Sequence, residues 1–153
     1  MKRILVKGIH GGKYTLIDED DFERCKSKSW YMNHKGRPKA IHKIGTKWKQ
    51  IFLHRFILGF PNGQIDHIDG NPLNNQKKNL RICSNAQNQF HRKPKKKSGF
   101  KGVCASGKKW EARITFKQKG IHLGTFGTKE EAAREYNKAA KKYFGDFAWL
   151  NPV

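Results

Sequence analysis

The sequence predicts an α+β protein of two small modules: a β-rich N-terminal one, then a three-stranded antiparallel sheet packed on one α-helix. Three observations carry that prediction. Short β-branched or aromatic runs separated by turn residues recur through the first half. Residues Lys109 to Lys117 alternate strictly, with Trp110, Ala112, Ile114 and Phe116 on one face and Lys109, Glu111, Arg113, Thr115 and Lys117 on the other. Thr128, with Glu131 three residues on, then opens a helical pattern that Gly145 closes.

In chain order, strands are expected at Ile4-Leu5-Val6, Tyr14 to Ile17, Trp30-Tyr31-Met32, Ala40-Ile41-His42 and Gln50 to Leu53. Asp18 is placed to cap a short acidic helix through Cys25, and His54 to Leu58 reads as a helix broken by Gly59 and Pro61. Gly63 to Asn75 reads as a strand that stops in a loop dense in Asp, Asn, Gly and Pro. Leu80-Arg81-Ile82 is the next strand, and Ser84 with Gln87 starts a helix to about His91. Arg92 to Gly99 is a basic linker. Phe100 to Cys104 and Gly120 to Phe126 flank the alternating strand through turns at Gly107 and Gly120. Ala132, Tyr136, Ala139, Ala140 and Tyr143 let the last helix lie close on that sheet. The expected division is 1–92 for the first module, with its core motif at 54–91, then 93–97 for the linker and 98–153 for the second module.

Charge sets the expected partner. The 153 residues hold 33 Lys+Arg against 12 Asp+Glu, a net charge of +21. Residues 1–92 contribute +11 and residues 93–153 +10. Both modules should therefore meet the same polyanion. Length argues against a large cofactor-binding enzyme. No apolar run is long enough to span a bilayer and the N-terminal run is too brief for a signal peptide, so no membrane partner and a cytoplasmic location are expected. Cys25, Cys83 and Cys104 form no C-x-x-C pair and read as free thiols.

The residues that can do chemistry are Asp66-His67, the Asn-rich loop with Asn79, and Asn88 on the following helix. Phosphodiester hydrolysis needs a general base and a cation to hold the scissile phosphate. A histidine suits the first task near neutral pH. A carboxylate and an amide oxygen are hard ligands suited to Mg²⁺. Adjacent strand residues point to opposite faces, so Asp66 and His67 do not automatically meet one ligand. Asp, Asn and Gly are also ordinary turn formers, so the loop taken alone reads as structural.

At these residues the sequence resembles a known family. Asp66-His67-Ile68-Asp69-Gly70-Asn71, Leu73-Asn74-Asn75, Asn79-Leu80-Arg81 and Asn88 look like the HNH endonucleases of the ββα-metal fold, in particular the phage-type homing branch, over residues 54–91. The resemblance implies that His67 is the general base, that Asn79 orients it, and that Asp66 and Asn88 ligate one Mg²⁺ (or Mn²⁺). His91, one turn beyond Asn88, is the other candidate for the third motif position. His54-Arg55 falls where this branch has a His-Arg pair, either structural or with Arg55 on a DNA phosphate. Many relatives are pinned by zinc on paired C-x-x-C motifs. This chain has none, so no structural zinc is expected and the N-terminal strands with Trp30, Trp48, Phe52 and Phe56 must supply the support.

The second module is similar to the Apetala-2/ERF DNA-binding domain of plant transcription factors. The match rests on Ser98 to Val103, Trp110-Glu111-Ala112-Arg113-Ile114, His122 to Phe126, Thr128 to Ala133 and Tyr136 to Ala140. The resemblance implies that the sheet lies in a major groove. Lys101, Arg113, Thr115 and His122 would then face double-stranded DNA. Alternation puts Lys109 and Lys117 on the same polar face, and the basic charge of the linker lets Lys95, Lys96 and Lys97 track phosphates. Cys104, Thr115 and His122 replace plant-type residues, so base preference does not transfer. The combined expectation is a metal-dependent DNA endonuclease of homing type, a monomer, nicking or cutting both strands, in a bacterial or phage-infected host cell. The alternative is a DNA-binding regulator with an inactive nuclease motif, and a basic RNA-binding protein is a third reading.

Overall fold

The computed structural model describes residues 1–8, 11–94 and 98–153. It is an α+β protein with two compact units, Met1–Asn85 and Ala86–Val153.

In the first unit, β1 (Lys2–Lys7), β2 (Lys13–Ile17), β3 (Trp30–Met32), β4 (Pro38–Ile44) and β5 (Lys47–Phe52) form one sheet in the order β2-β1-β3-β4-β5. Only β1 and β3 pair in parallel; the link between β2 and β3 is a 3₁₀ turn at Glu19–Asp21 and α1 (Phe22–Lys26). Alternation sends Ile4, Val6, Thr15, Ile17, Trp30 and Ala40 inward, where they meet Leu53 and Ile57 of α2 (Leu53–Ile57). The Trp30 indole N–H donates to the Cys25 carbonyl at 2.8 Å, which satisfies its polar end inside the core.

A second, two-stranded ladder follows. β6 (Gln64–His67) pairs antiparallel with β7 (Leu80–Cys83), placing Asp66 opposite Arg81 and His67 opposite Leu80. Ile65 and Leu80 join the main core. The loop between these strands is bound to the edge of β2. Leu16 N–H donates to Leu73 O and Asn75 N–H to Leu16 O, both at 2.8 Å. Asp18 does not cap α1 through its side chain, as the sequence suggested. Its carboxylate instead accepts from Lys77 N–H at 2.7 Å and from the Gln76 amide at 3.2 Å, fastening the loop's far end.

Of the aromatic residues expected to support this unit, Trp30 is buried and Phe56 packs on the core, but Trp48 is 69% exposed. Trp48 belongs to the part of the β4–β5 hairpin that extends past the core, where residues on both strands face solvent.

The second unit contains most of α3 (Asn85–Phe90) and a sheet of β8 (Val103–Ser106), β9 (Lys109–Phe116) and β10 (Lys119–Phe126), ordered β10-β9-β8. α4 (Lys129–Phe144) carries a full capping box between Thr128 and Glu131 and buries Ala132, Ala133, Tyr136, Ala139, Ala140 and Phe144. The β9–β10 turn is not at Gly120. Lys117 and Gln118 occupy it, both at positive φ, as a two-residue hairpin turn requires, so Lys117 leaves the strand face. Gly102 sits at φ +73°, where a Cβ would lie 2.0 Å from the Tyr136 ring and 2.6 Å from Arg113 O. Glycine alone lets α4 and β9 close there.

Among the described residues no helix is long and apolar enough to cross a membrane. Cys25, Cys83 and Cys104 are free thiols.

Candidate active site

The strand β6 ends at His67, whose ring is buried at 8% exposure. Its Nε2 lies 3.1 Å from Oδ1 of Asn75, a fully buried side chain. The Asn75 amide cannot be turned the other way. Its Nδ2 donates to Thr15 Oγ1 at 2.8 Å and to the Pro72 carbonyl at 3.0 Å, and a carbonyl oxygen only accepts. Thr15 in turn donates to Leu73 O at 2.8 Å. Oδ1 therefore faces the imidazole, and in neutral His67 the proton sits on Nε2 and the lone pair on Nδ1.

Asn79, expected to orient His67, does not touch it. Its Nδ2 donates to Asp69 Oδ1 at 2.9 Å and to Asn74 O at 2.8 Å, while its Oδ1 accepts from Asp69 N–H at 3.0 Å. Asp69 also holds Asn71 N–H and the Asn74 amide, at 2.8 Å each. These bonds keep the Asp69 carboxyl below its ordinary range against the opposing effect of burial. Asn79 thus fastens the loop that contains Asn75.

Asp66 and His67 do point to opposite sides of β6. The Asp66 carboxylate receives Arg81 Nε at 3.0 Å and Nη2 at 2.7 Å from the facing position on β7. On the His67 side stands His54 of α2, its ring edge-on at 5.5 Å between centroids and stacked on Phe52 at 5.6 Å. Burial pushes the His54 imidazole down to about 3, with His67 adding to the effect, so His54 is neutral. Burial also lowers His67, opposed by its bond to Asn75 and by Asp69. An imidazole lowered this way is a free base at neutral pH.

The remaining predicted residues are dispersed. Arg55 donates to the carbonyls of Pro61 at 2.5 Å and Gly63 at 3.0 Å, closing the turn between α2 and β6; this is the structural use of that pair. Asn88 lies half-buried on α3, and His91 follows it with its ring 5.5 Å from Trp149; both belong to the second unit. The Lys101 ammonium donates to the carbonyls of Gln89, Phe90 and Arg92, serving as a C-terminal cap for α3, and burial there lowers it to about 8. Lys109, Arg113, Thr115 and His122 are exposed, with Arg113 and His122 in register across β9 and β10. Glu111 lies among them, accepting from Arg113 and, at 2.6 Å, facing His122 Nδ1. Lys117 is exposed in its turn, with its ammonium 5.5 Å from the Phe116 ring centroid. Lys95, Lys96 and Lys97 lie outside the described residues.

Thr15 is the residue of this site that sequence reasoning missed, because its partner Asn75 is 60 residues away and no local spacing links the two. Asn75, Arg81 and His54 all lie in the segment that carries the family resemblance, but the sequence assigns Asn75 and Arg81 no role of their own.

Among the described residues no three His, Cys, Asp or Glu side chains gather as a metal cage. The donor chemistry still fits a hard divalent cation, because Mg²⁺ commonly takes one or two protein oxygens and fills its shell with water and substrate phosphate. Asp66 offers such an oxygen, in competition with Arg81.

Residues 52–90, from the end of β5 through α3, match the family model described as HNH endonuclease. This chain carries an HNH endonuclease domain. An uncharacterized HNH endonuclease, L560, of Acanthamoeba polyphaga mimivirus is 29% identical over 146 residues, covering 93% of this chain and 76% of that protein. Protein 3.8 of Escherichia phage T7 is 34% identical over 88 residues, 55% of this chain and 72% of the phage protein, and the two belong to one family. An ethylene-responsive transcription factor-like protein of Arabidopsis thaliana is 34% identical over 106 residues, 67% of this chain but 43% of the plant protein. The HNH domain and these relatives support a nuclease acting on DNA.

Proposed function

We propose that this chain is a metal-dependent DNA endonuclease of the homing type, with His67 as general base and the β8–β10 sheet as its DNA-binding module. The observation that supports it best is the fixed Asn75 amide. By holding the proton on Nε2, it leaves Nδ1 free to accept a proton from water, and the lowered basicity of His67 keeps that lone pair available at neutral pH. Asn79 keeps the loop in place, and His54 with Phe52 walls off one side of the ring.

Asp66, with Asn88 as the resemblance implies or His91 in its stead, would hold Mg²⁺ or Mn²⁺. The cation, when bound, supplies charge neutralisation at the scissile phosphate and the leaving oxygen. Lys109, Arg113, Thr115, Lys117 and His122 would meet phosphates and base edges of duplex DNA, and Lys95, Lys96 and Lys97 its backbone. Lys101 is engaged with α3 and is left out of that surface. Linking two weak sites raises the local concentration of one at the other. Cleavage is a nick or a cut of both strands, and nicking is the more natural outcome for a monomer with one such centre. Viral and phage relatives support action in the cytoplasm of a host cell.

The test is to incubate supercoiled DNA carrying the gene's own flanking sequence with the protein in Mg²⁺, Mn²⁺ or EDTA, beside His67→Ala. Metal-dependent open-circle or linear product from wild type alone is expected. Binding without cleavage in every metal would overturn the reading in favour of a DNA-binding regulator.

A further inference from the structure

Apart from Phe52 at the end of β5, the outward face of the five-stranded sheet takes no part in the site above. Register places Leu5 opposite Tyr14, Lys7 beside Tyr31, Tyr31 opposite Lys39, Ile41 opposite Gln50, and Lys43 opposite Trp48. Their chain neighbours Val6, Thr15, Trp30 and Ala40 point the other way and are buried. The outward rings stay open to solvent: Tyr14 is 60% exposed, Tyr31 42% and Trp48 69%, with Ile41 at 56%. One exposed apolar residue is ordinary, but a set on one face marks an interaction surface.

The charges on this face have one sign. Among the described residues of the five strands, the charged side chains in outward register are Arg3, Lys7, Lys39 and Lys43, all cations. Two of them lie over the rings, with Lys7 Nζ 5.9 Å from the Tyr31 centroid and Lys43 Nζ 6.0 Å from that of Trp48. Tyr31, Ile41 and Trp48 line a shallow groove with Lys28 and Ser29. Strand geometry sets Tyr31 and Trp48 roughly 16 Å apart, which gives room for more than one nucleotide along the groove.

Open rings interleaved with ammonium groups match a ligand that offers flat faces and regularly spaced negative charge. Single-stranded nucleic acid offers both, stacking its bases on aromatic rings while its phosphates meet cations. A duplex hides its base faces, and a second copy of this chain would bring the same cations against these. We propose that the outward face of β1–β5 is a binding platform for a single strand of nucleic acid, with bases stacked on Tyr31 and Trp48 and phosphates on Lys7, Lys39 and Lys43. It goes beyond the nuclease reading and does not depend on it.

The test uses the full chain in EDTA, where cleavage plays no part, with a labelled oligo-dT that forms no duplex and a labelled duplex as probes. Wild type should bind oligo-dT with an affinity that falls as salt rises. Tyr31→Ala and Trp48→Ala should each weaken oligo-dT binding by about tenfold and duplex binding by less than about twofold, while Trp48→Phe, which keeps a ring, restores most of the loss. Both positions are exposed, so the fold is expected to survive, and circular dichroism checks it. Unchanged oligo-dT binding by both alanine variants would overturn the proposal. An equal loss on duplex would show a duplex surface instead. A sedimentation-detected dimer abolished by Trp48→Ala would assign the face to a second copy.

Discussion

The polar groups of the candidate site in the first unit are buried, and those on the sheet of the second unit are displayed. His67, Asn75, Thr15, Asn79 and Asp66 are all buried, and the side chains of Asn75 and Asn79 each make three hydrogen bonds within the unit. In the second unit the polar face of β9 and β10 places Lys109, Arg113, Thr115 and His122 in solvent, while among the described residues Asn151 is the buried polar one, holding Lys101 and Asn137. Burial costs a polar group its water, so a buried set persists only when its members satisfy one another, and it is then rigid. Rigidity is what proton transfer needs, since the base must stand within hydrogen-bond reach of the proton it takes. Exposed cations on a sheet suit the opposite task of meeting many phosphates at modest energy each. The contrast teaches that mutations at the two places will be felt differently: by rate and stability at the buried site, by affinity on the displayed sheet.

The sharpest test of that contrast is His67→Ala. Removing a general base costs about 10²- to 10⁴-fold in rate. Cleavage of supercoiled DNA is expected to fall by that much while gel-shift affinity in EDTA stays at the wild-type value. A parallel loss of affinity would mean that the first unit also supplies the main binding surface.

Acid should also separate the units. His54 has a folded-state value near 3 against about 6.5 unfolded, and His67 is lowered as well. A base whose folded value is depressed is protonated first in the unfolded chain, so stability is full above about pH 6.5 and is lost progressively as pH falls toward 3. The loss amounts to a few kcal/mol. Denaturant midpoints between pH 7 and 4 should fall steeply for wild type and less for His54→Phe. Equal slopes for the two proteins would refute the assignment to His54.

Asn75 tests whether rigidity itself matters. Asn75→Ala strands Thr15 and the Pro72 carbonyl, at a cost of about 1–3 kcal/mol. It also frees the His67 ring, with up to about 10²-fold lost in rate. Asn75→Asp separates these effects, because a carboxylate beside the ring favours its protonated form and should move the acid limb of the rate profile to higher pH. A variant with lowered stability but an unmoved profile would leave Asn75 with a purely structural role.

How much of this could be read from the sequence follows from the range of each interaction. The alternation of β9, the capping box of α4 and the β6–loop–β7–α3 series are local patterns, and the structure follows them. The contacts that hold the candidate site together are not local. Thr15 meets Asn75 across 60 positions, Asp18 meets Lys77 across 59, and the parallel pairing of β1 with β3 leaves no mark in spacing. Trp48 misled because an aromatic run predicts a strand without saying that the strand outruns its core. Lys101 misled because a cation at the start of a sheet reads as solvent-facing until the helix end it caps is known.

The smallest effects belong to the exposed face, and they test the second half of the contrast. Arg113→Ala removes one cation that stands 67% exposed beside Glu111, and its effect should be spread over binding alone. Duplex affinity should fall several-fold, the slope of log affinity against log salt should shrink by about 0.9, and the single-turnover cleavage rate at saturating protein should not change. Glu111→Gln makes the reverse change. Arg113 and His122 lose the carboxylate that holds them in one place, and the face gains a net positive charge. Affinity for random-sequence duplex should rise by a few-fold while preference for the flanking-sequence site declines, because a side chain freed from its partner contacts phosphate more readily than it reads one base edge. Should Glu111→Gln weaken binding to both sequences equally, the carboxylate would be supporting the sheet rather than selecting the site, and the display of charge in this unit would serve affinity without specificity.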